Sequence, residues 1–331
     1  MIPSSFRALV VDQPAAGFTV AVQSLPLEQL PPGEVLIQVA YSSINYKDGL
    51  AATANGKIVK AYPFVPGIDL SGTVAASADP RFQVGQLVIA TSYGIGVSHY
   101  GGFSEYARIP AEWVLPLPEG LTLMEAMIYG TAGLTAALSI EQLEHNGMSP
   151  AKGRVLVTGA TGGVGGAAVA MLHKKGYEVA AGTGKADAAD YLSSLGAAEI
   201  LSRDAIMADN KPLGKQMWQA AVDPVGGPML AAILGQIAYG GSVGVSGLAG
   251  GTAIPATVLP FILRGVNLLG IDSVLCPMER REKLWSRMAD DLKPADLERL
   301  VHREISLAEL PEALADALLA KTHGRVIVRM S

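Results

Sequence analysis

The sequence predicts a two-domain α/β protein: a β-rich N-terminal domain, rejoined by the C-terminal segment, and a doubly wound middle domain built on a parallel sheet. Three observations predict it. The length of 331 residues exceeds one ordinary core and suits two domains of roughly 100–200 residues each. The first 120 residues carry short apolar or β-branched runs: Phe6–Asp12, Glu34–Ala40, Ser71–Ala76, Gln86–Ala90 and Phe103–Ile109. They are separated by turn signals such as Pro31-Pro32-Gly33, Pro66-Gly67 and Gly101-Gly102. From Thr122 onward strands alternate with helices, the pattern of a parallel sheet. The expected boundaries are 1–122 with 275–331 for the β-rich domain and 123–274 for the doubly wound one.

In the middle domain a helical stretch (Leu123–Glu144) leads into strand Arg154–Thr158, a glycine loop and helix Val164–Lys175. Strand Glu178–Ala181, helix Ala186–Leu195 and strands Glu199–Leu201 and Ala220–Asp223 follow. No charge occurs between Asp223 and Arg264, but Gly240-Gly241, Gly250-Gly251, Pro255 and Pro260 break that run. It reads as helix Pro228–Ala238 and buried strand Ser242–Ser246 rather than a bilayer-spanning helix, which needs about 20 unbroken apolar residues. Beyond Val274 the sequence predicts helices Met278–Leu292, Pro294–Val301 and Ser306–Ala320, the last opened by a Ser306/Glu309 capping box. Arg325–Met330 is strand-like and is expected to rejoin the β-rich domain.

Composition narrows the function. With 50% apolar and 17% charged residues the chain is neither disordered nor low in complexity. A net charge of −5 argues against nucleic acid as partner while leaving room for a small anionic ligand. Cys276 is alone, so neither an internal disulfide nor a thiolate zinc cluster can form, and the five histidines (His99, His145, His173, His302, His323) lack metal-ligand spacing. The N-terminus has no signal-peptide pattern, so the expected location is cytoplasmic.

Gly159-Ala160-Thr161-Gly162-Gly163-Val164-Gly165-Gly166 lies between a buried strand and an Ala/Val/Met-rich helix. In that context the missing side chains let the backbone approach a diphosphate, and the free amides and positive end of the helix stabilise it. The loop also fits short-chain dehydrogenases, but those need a Tyr-x-x-x-Lys pair downstream. None of Tyr177, Tyr191 and Tyr239 has a lysine four residues on. An NADH site usually places Asp or Glu at the end of the second strand, about 20 residues on. Here that strand ends Ala181-Gly182-Thr183-Gly184-Lys185, with Arg203 past the next strand. A hydroxyl and cations in place of an acid suit a 2′-phosphate, so NADPH is the predicted cofactor.

The order of parts, with Ser42–Asp48, Pro66–Gly72, Gly101–Tyr106 and Gly130–Ala136 ahead of the glycine loop, resembles the zinc-free, quinone-oxidoreductase-like branch of the medium-chain dehydrogenase/reductases. The resemblance implies a GroES-like N-terminal domain and a Rossmann nucleotide domain. Asn45–Asp48, Asp79–Phe82, Gly247–Gly251, Pro260–Arg264, Asp272–Val274 and Glu279–Arg281 make it most similar to the acryloyl-CoA reductase (NADPH) group. Zinc-dependent relatives place Cys and Gly-His-Glu where this chain has Ile44/Asn45 and Gly67-Ile68-Asp69. No metal is therefore expected, and an activated double bond is a better substrate than a simple ketone.

The resemblance implies a nicotinamide-side role for Tyr46, whose phenol can also donate to an enolate or relay a proton; packing at the domain junction is the alternative. Asn45 and Asp48 are candidates to orient Tyr46 or the substrate, Asp48 equally to cap a helix. Thr135 and the loop residues Thr161, Gly162, Gly163, Val164 and Gly165 are expected cofactor contacts, as are Thr183, Gly184, Lys185 and Arg203. Leu248, Ile262 and Ser273 match nicotinamide-side positions, although by sequence alone the first two read as core. Arg325 matches a cofactor- or substrate-phosphate position, with a surface salt bridge as the alternative. The implied function is NADPH-dependent reduction of acryloyl-CoA or another acyl-CoA thioester by a homodimer. A quinone or enone reductase and a low-turnover NADPH-binding regulatory protein are the alternatives.

Overall fold

The computed structural model describes residues 2–330 and divides into two units, 2–131 with 274–286 and 301–330, and 132–273 with 287–300. The boundaries expected at 122/123 and 274/275 thus shift: Leu123–Thr131 belongs with the first unit and Arg287–Leu300 with the second.

The first unit opens with an antiparallel pair, β1 (Ser5–Asp12) and β2 (Thr19–Pro26). β1 is legible because Phe6 and Ala8 through Val11 are buried; β2 has no fully buried residue, half-buried Val20 and Val22 alternating with exposed Thr19, Ala21 and Gln23. Strand β3 (Val35–Ser43) follows, then helix α1 (Tyr46–Ala51), β4 (Asp69–Ser77), β5 (Leu87–Thr91), β6 (Tyr106–Ile109) and β7 (Val114–Pro116). Strand β3 pairs antiparallel with β4 and β6, and β5 lies between β4 and β7. Their inward side chains, among them Val35, Ile37, Leu70, Val88 and Ile109, form one apolar cluster, joined by Phe103 from the loop before β6.

Helix α2 (Leu123–His145) is long and apolar enough, by length and composition, to cross a membrane. However, 78% of its most apolar window is buried inside the protein, and Gly130 interrupts it with non-helical dihedrals (φ 52°, ψ −154°). Only glycine tolerates that position. A Cβ there would strike the Asp69 carboxylate and come within 2.8 Å of Ser43 Oγ and 2.9 Å of the Arg325 guanidinium.

The second unit runs β8 (Val155–Val157), α3 (Gly163–Lys174), β9 (Val179–Thr183), α4 (Ala189–Ser194), β10 (Glu199–Ser202) and α5 (Arg203–Met207). It continues β11 (Trp218–Asp223), α6 (Gly227–Gln236), β12 (Ile237–Val245), α7 (Leu259–Arg264) and β13 (Asn267–Gly270). All six strands are parallel in the order β10-β9-β8-β11-β12-β13. That is the 3-2-1-4-5-6 order of the Rossmann fold, with its switch point between β8 and β11. The uncharged stretch after Asp223 is therefore a buried helix and a sheet strand.

The chain returns to the first unit through α8 (Met278–Ala289), β14 (Val301–Ser306), α9 (Leu310–Leu318) and β15 (Arg325–Arg329). The helix expected at 294–301 is instead a short 3₁₀ turn, Leu297–Leu300, running into β14. The alternation of β14, with Val301 and Arg303 half-buried between exposed His302 and Glu304, hides a strand among charges. The Ser306/Glu309 box forms as read, Glu309 Oε2 accepting from Ser306 N at 2.8 Å. Strand β15 lies parallel to β14 and antiparallel to β3, setting Ile327 opposite Ser43.

Candidate functional site

The glycine loop leaves β8 at the switch point. Gly162 N donates to Gly159 O at 2.9 Å, closing a tight turn, and Gly166 N reaches Gly162 O at 2.8 Å as α3 begins. The first-turn amides of Gly163, Val164 and Gly165 then have no intrahelical acceptor and point out of the helix N-terminus. Gly165 is obligatory, since a Cβ there would collide with Gly159 O. Thr161 is buried at the turn.

Beneath the loop lies a feature the sequence reading passed over. Asp223, at the end of β11, is fully buried and accepts from Thr158 Oγ1 at the end of β8. It also accepts from Val225 N and Gly226 N, both at 3.0 Å. Burial pushes the Asp223 carboxyl above its usual pKa even though these bonds favour the charge. The carboxylate ties together the two loops that flank the switch point. A lone acid ending the apolar run Ala220–Val222 was the available signal.

At the carboxyl ends of β9 and β10 is a cavity of about 400 Å³, lined by Thr183, Gly184, Lys185, Ser202, Arg203 and Asp204 among others. The structure thus brings together the hydroxyl and the two cations that the sequence assigned to a 2′-phosphate. Lys185 N donates to Thr183 Oγ1 at 3.0 Å, and the Arg203 guanidinium lies over Gly184, 3.0 Å from where a Cβ would stand. Partial burial lowers the Lys185 pKa, partly offset by Asp187. Asp204, which the sequence reading did not place here, adds one carboxylate to the rim.

Two further expected contacts meet: Thr135 Oγ1 donates to Ser273 Oγ at 2.8 Å, both buried. Leu248 and Ile262 are not core, being 62% and 69% exposed.

In the first unit, Asn45 precedes α1 and Tyr46 opens it, 59% exposed. Asp48 is buried, its Oδ2 accepting from Asn45 N at 2.8 Å and its Oδ1 from Ile68 N at 3.0 Å. It therefore caps α1 and fastens it to the segment leading into β4. Burial, reinforced by the neighbouring Asp69 charge, raises its pKa to about 7 against the opposing hydrogen bonds.

Asp69 and Arg325 sit at the centre of this cluster. Asp69 Oδ2 accepts from Asn45 Nδ2 at 2.7 Å and Ser43 Oγ at 3.0 Å, while Oδ1 accepts from Thr131 N at 2.9 Å and Thr131 Oγ1 at 2.6 Å. Arg325, 3% exposed, lies 3.7 Å from Asp69 Oδ2. It donates to Ile128 O and Ile44 O at 3.1 Å, Asn45 Oδ1 at 3.2 Å and Ser43 Oγ at 2.7 Å. The surface ion pair expected as the alternative for Arg325 does not form: the residue is buried and its guanidinium is engaged with these buried acceptors. Asn45 has both ends of its amide engaged by Asp69 and Arg325, which holds it in place ahead of α1. Asp48, fully buried, is likewise a positioning residue, leaving Tyr46 as the exposed polar side chain of the motif.

Comparison with known proteins agrees with this arrangement. Residues 31–119 match the model of the alcohol dehydrogenase GroES-like domain, and residues 163–290 match that of the zinc-binding dehydrogenases. YhfP of Bacillus subtilis (strain 168), named as a quinone oxidoreductase, is 59% identical over 326 residues, 98% of this chain and 99% of its own. The chain belongs to the quinone-oxidoreductase-like medium-chain dehydrogenase/reductases. Acrylyl-CoA reductase AcuI of Ruegeria pomeroyi is 51% identical over 98% of both chains. The crystal structure of YhfP with NAD bound superimposes with a TM-score of 0.97, covering 99% of this chain and 100% of that one. That of the YhdH oxidoreductase from Salmonella enterica in complex with NADP gives 0.95 at 48% identity, covering 98% and 100%. A member of this family is an oxidoreductase with a GroES-like and a Rossmann domain, as the sequence predicted. The zinc in one family description does not fit the residues here. Among the described residues no three His, Cys, Asp or Glu side chains form a metal-holding group, and Asp69 is already committed to Arg325 and its neighbours.

Proposed function

We propose that this protein uses NADPH to reduce the activated carbon–carbon double bond of a short α,β-unsaturated acyl thioester, acryloyl-CoA being the substrate of choice. The observation that carries the coenzyme assignment is the cavity at the end of β9, where Thr183, Lys185 and Arg203 converge and β9 itself ends without a carboxylate. The residues fit the coenzyme in two places. The amides of Gly163–Gly165 suit its diphosphate, and Lys185 and Arg203 suit its 2′-phosphate. The acrylyl-CoA reductase identified among the relatives supports the thioester assignment.

When bound, the dihydronicotinamide supplies a hydride to the β-carbon of the enoyl group. The chain's own tasks are then to hold the reactants, to stabilise the charge that grows on the thioester oxygen, and to let a proton reach the α-carbon. Tyr46 presents an exposed phenol for the oxygen, on a helix fixed by Asp48 and Asn45. The Thr135–Ser273 hydroxyl pair and the exposed Leu248 and Ile262 provide a polar and an apolar surface for the nicotinamide end.

The test is NADPH oxidation, followed by absorbance, with acryloyl-CoA and a quinone in parallel, and again with NADH. Turnover of acryloyl-CoA with NADPH supports the reading. Faster turnover of the quinone favours the second reading, which the name given to YhfP supports. Preference for NADH would match the NAD-bound relative and overturn the coenzyme assignment.

A further inference from the structure

The groups described so far serve the enoyl thioester and the coenzyme, and leave unassigned the several phosphates at the far end of a CoA substrate. Between Asn45 and Asp69 the chain carries Lys47, Lys57 and Lys60 against a single carboxylate, Asp48. Asp48 is buried and turned inward onto Asn45 N and Ile68 N, so the charged side chains that reach solvent from this segment are the three lysines, Lys47 in part and Lys57 and Lys60 exposed. Lys47 follows the exposed Tyr46 in the first turn of α1. Lys57 and Lys60 stand exposed on the connection after α1 because the residues between them turn inward. Val59 is buried with Val11, Ala51 and Phe64, and Ile58 packs against that cluster. Paired backbone bonds of 2.9 Å between Val11 and Phe64 pin the far end of the connection. Lys57 is held in the left-handed region (φ 56°), unusual for a residue with a β-carbon.

Six other cations of the same unit are neutralised: Arg7 by Glu105, Arg81 by Asp79, Arg303 and Lys321 by Asp316, Lys283 by Glu279, Arg329 by Glu304. Among the described residues no carboxylate oxygen lies within 4.0 Å of the ammonium of Lys47, Lys57 or Lys60. In a protein of net charge −5, these three lysines, within fourteen residues of one another on a pinned segment that begins at Tyr46, give the segment a local positive charge.

We propose that Lys47, Lys57 and Lys60 bind the phosphorylated end of a coenzyme A thioester, its diphosphate and 3′-phosphate. The inference rests on the functional reading above and names the part of the substrate that this face recognises. Ammonium groups on flexible stems act as point charges, so the contribution is screened by salt and falls mainly on substrate capture.

The test compares acryloyl-CoA with the acryloyl thioester of N-acetylcysteamine, which has no phosphates, in the parent and in the triple variant K47Q/K57Q/K60Q. The ratio of kcat/KM for the CoA thioester to that for the short one should fall about tenfold in the variant at low salt, the sum of three charge contacts open to solvent. The fall should come from KM, and 200 mM salt should shrink it. Dissociation of NADPH, read by its fluorescence, distinguishes the coenzyme as the ligand of these lysines: an equal weakening there overturns the proposal. An unchanged ratio with normal acryloyl-CoA turnover overturns it too, leaving the functional reading intact. If the parent reduces neither thioester, the functional reading itself falls.

Discussion

Arg325 and Asp69 face each other at 3.7 Å, both nearly inaccessible to water, one at the start of the last strand and the other opening β4. Asp69 stands at one of the positions where the resemblance places Gly-His-Glu in zinc-dependent relatives, and here the Arg325 guanidinium lies beside it. Removing one partner strands the other as a buried charge. Arg325→Met should therefore destabilise the protein by about 3–5 kcal/mol, measured by urea unfolding, because it also leaves Ile44 O and Ile128 O without their donor. Adding Asp69→Asn to that variant should recover part of the loss. Strict additivity of the two changes would mean that the pair is not coupled.

Asp48 gives stability a pH dependence of unusual sign for a carboxylate. Its pKa is raised from the ordinary 3.8 to about 7, burial being the largest cause. The folded state therefore holds the proton to higher pH than the unfolded chain does. The Asp48 contribution to stability is full below about pH 4, declines as pH rises towards 7 with a slope of at most about 1.4 kcal/mol per unit, and is flat above. Asp48→Asn cannot titrate, so the stability difference between parent and variant should narrow from pH 5 to 7.5. A difference independent of pH across that range would contradict the assignment.

Lys185 and Arg203 line one cavity and should act together on the 2′-phosphate. The double variant K185A/R203A should weaken NADPH binding by about 10–100-fold, the worth of one to two charge-assisted hydrogen bonds. NADH binding should change little, because NADH carries nothing for those cations to hold. Calorimetric titration of both coenzymes decides it, and equal losses would show a general disturbance of the nucleotide domain instead.

The parts of this molecule that were legible in the sequence are those where one local rule dominates. Strand–glycine–helix around Gly159–Gly165 and the alternation of the middle domain needed only hydrophobic pattern and turn chemistry. Strand β14 falls between the expected helices 294–301 and 306–320 and carries no strand signal in the sequence, because its charged residues mask a period of two. The burial of Arg325 was not legible, because nothing in Gly324-Arg325-Val326 says which way a guanidinium turns. That is decided by β15 pairing with β3, which carries it to Ser43 and Asp69 from almost the whole chain length away. The same holds for Asn45 and Asp48. Their residue types predicted hydrogen bonding correctly, but only the fold shows that the partners are the protein's own groups.

With Asn45 and Asp48 committed to the scaffold, Tyr46 carries the burden of polar assistance in its motif. Tyr46→Phe removes one oxygen from a side chain that is largely exposed and makes no buried contact of note, so the melting temperature should stay within about 1 °C of the parent. If the phenol donates to the enolate oxygen or relays the proton, kcat with acryloyl-CoA should fall about 100-fold, at the low end for a positioned acid, while KM moves little. Asp48→Asn offers the contrast. It loosens the helix that carries Tyr46, so it should lower kcat and thermal stability together. Full activity in Tyr46→Phe would exclude the phenol from the chemistry and place the proton donor on the substrate or in solvent.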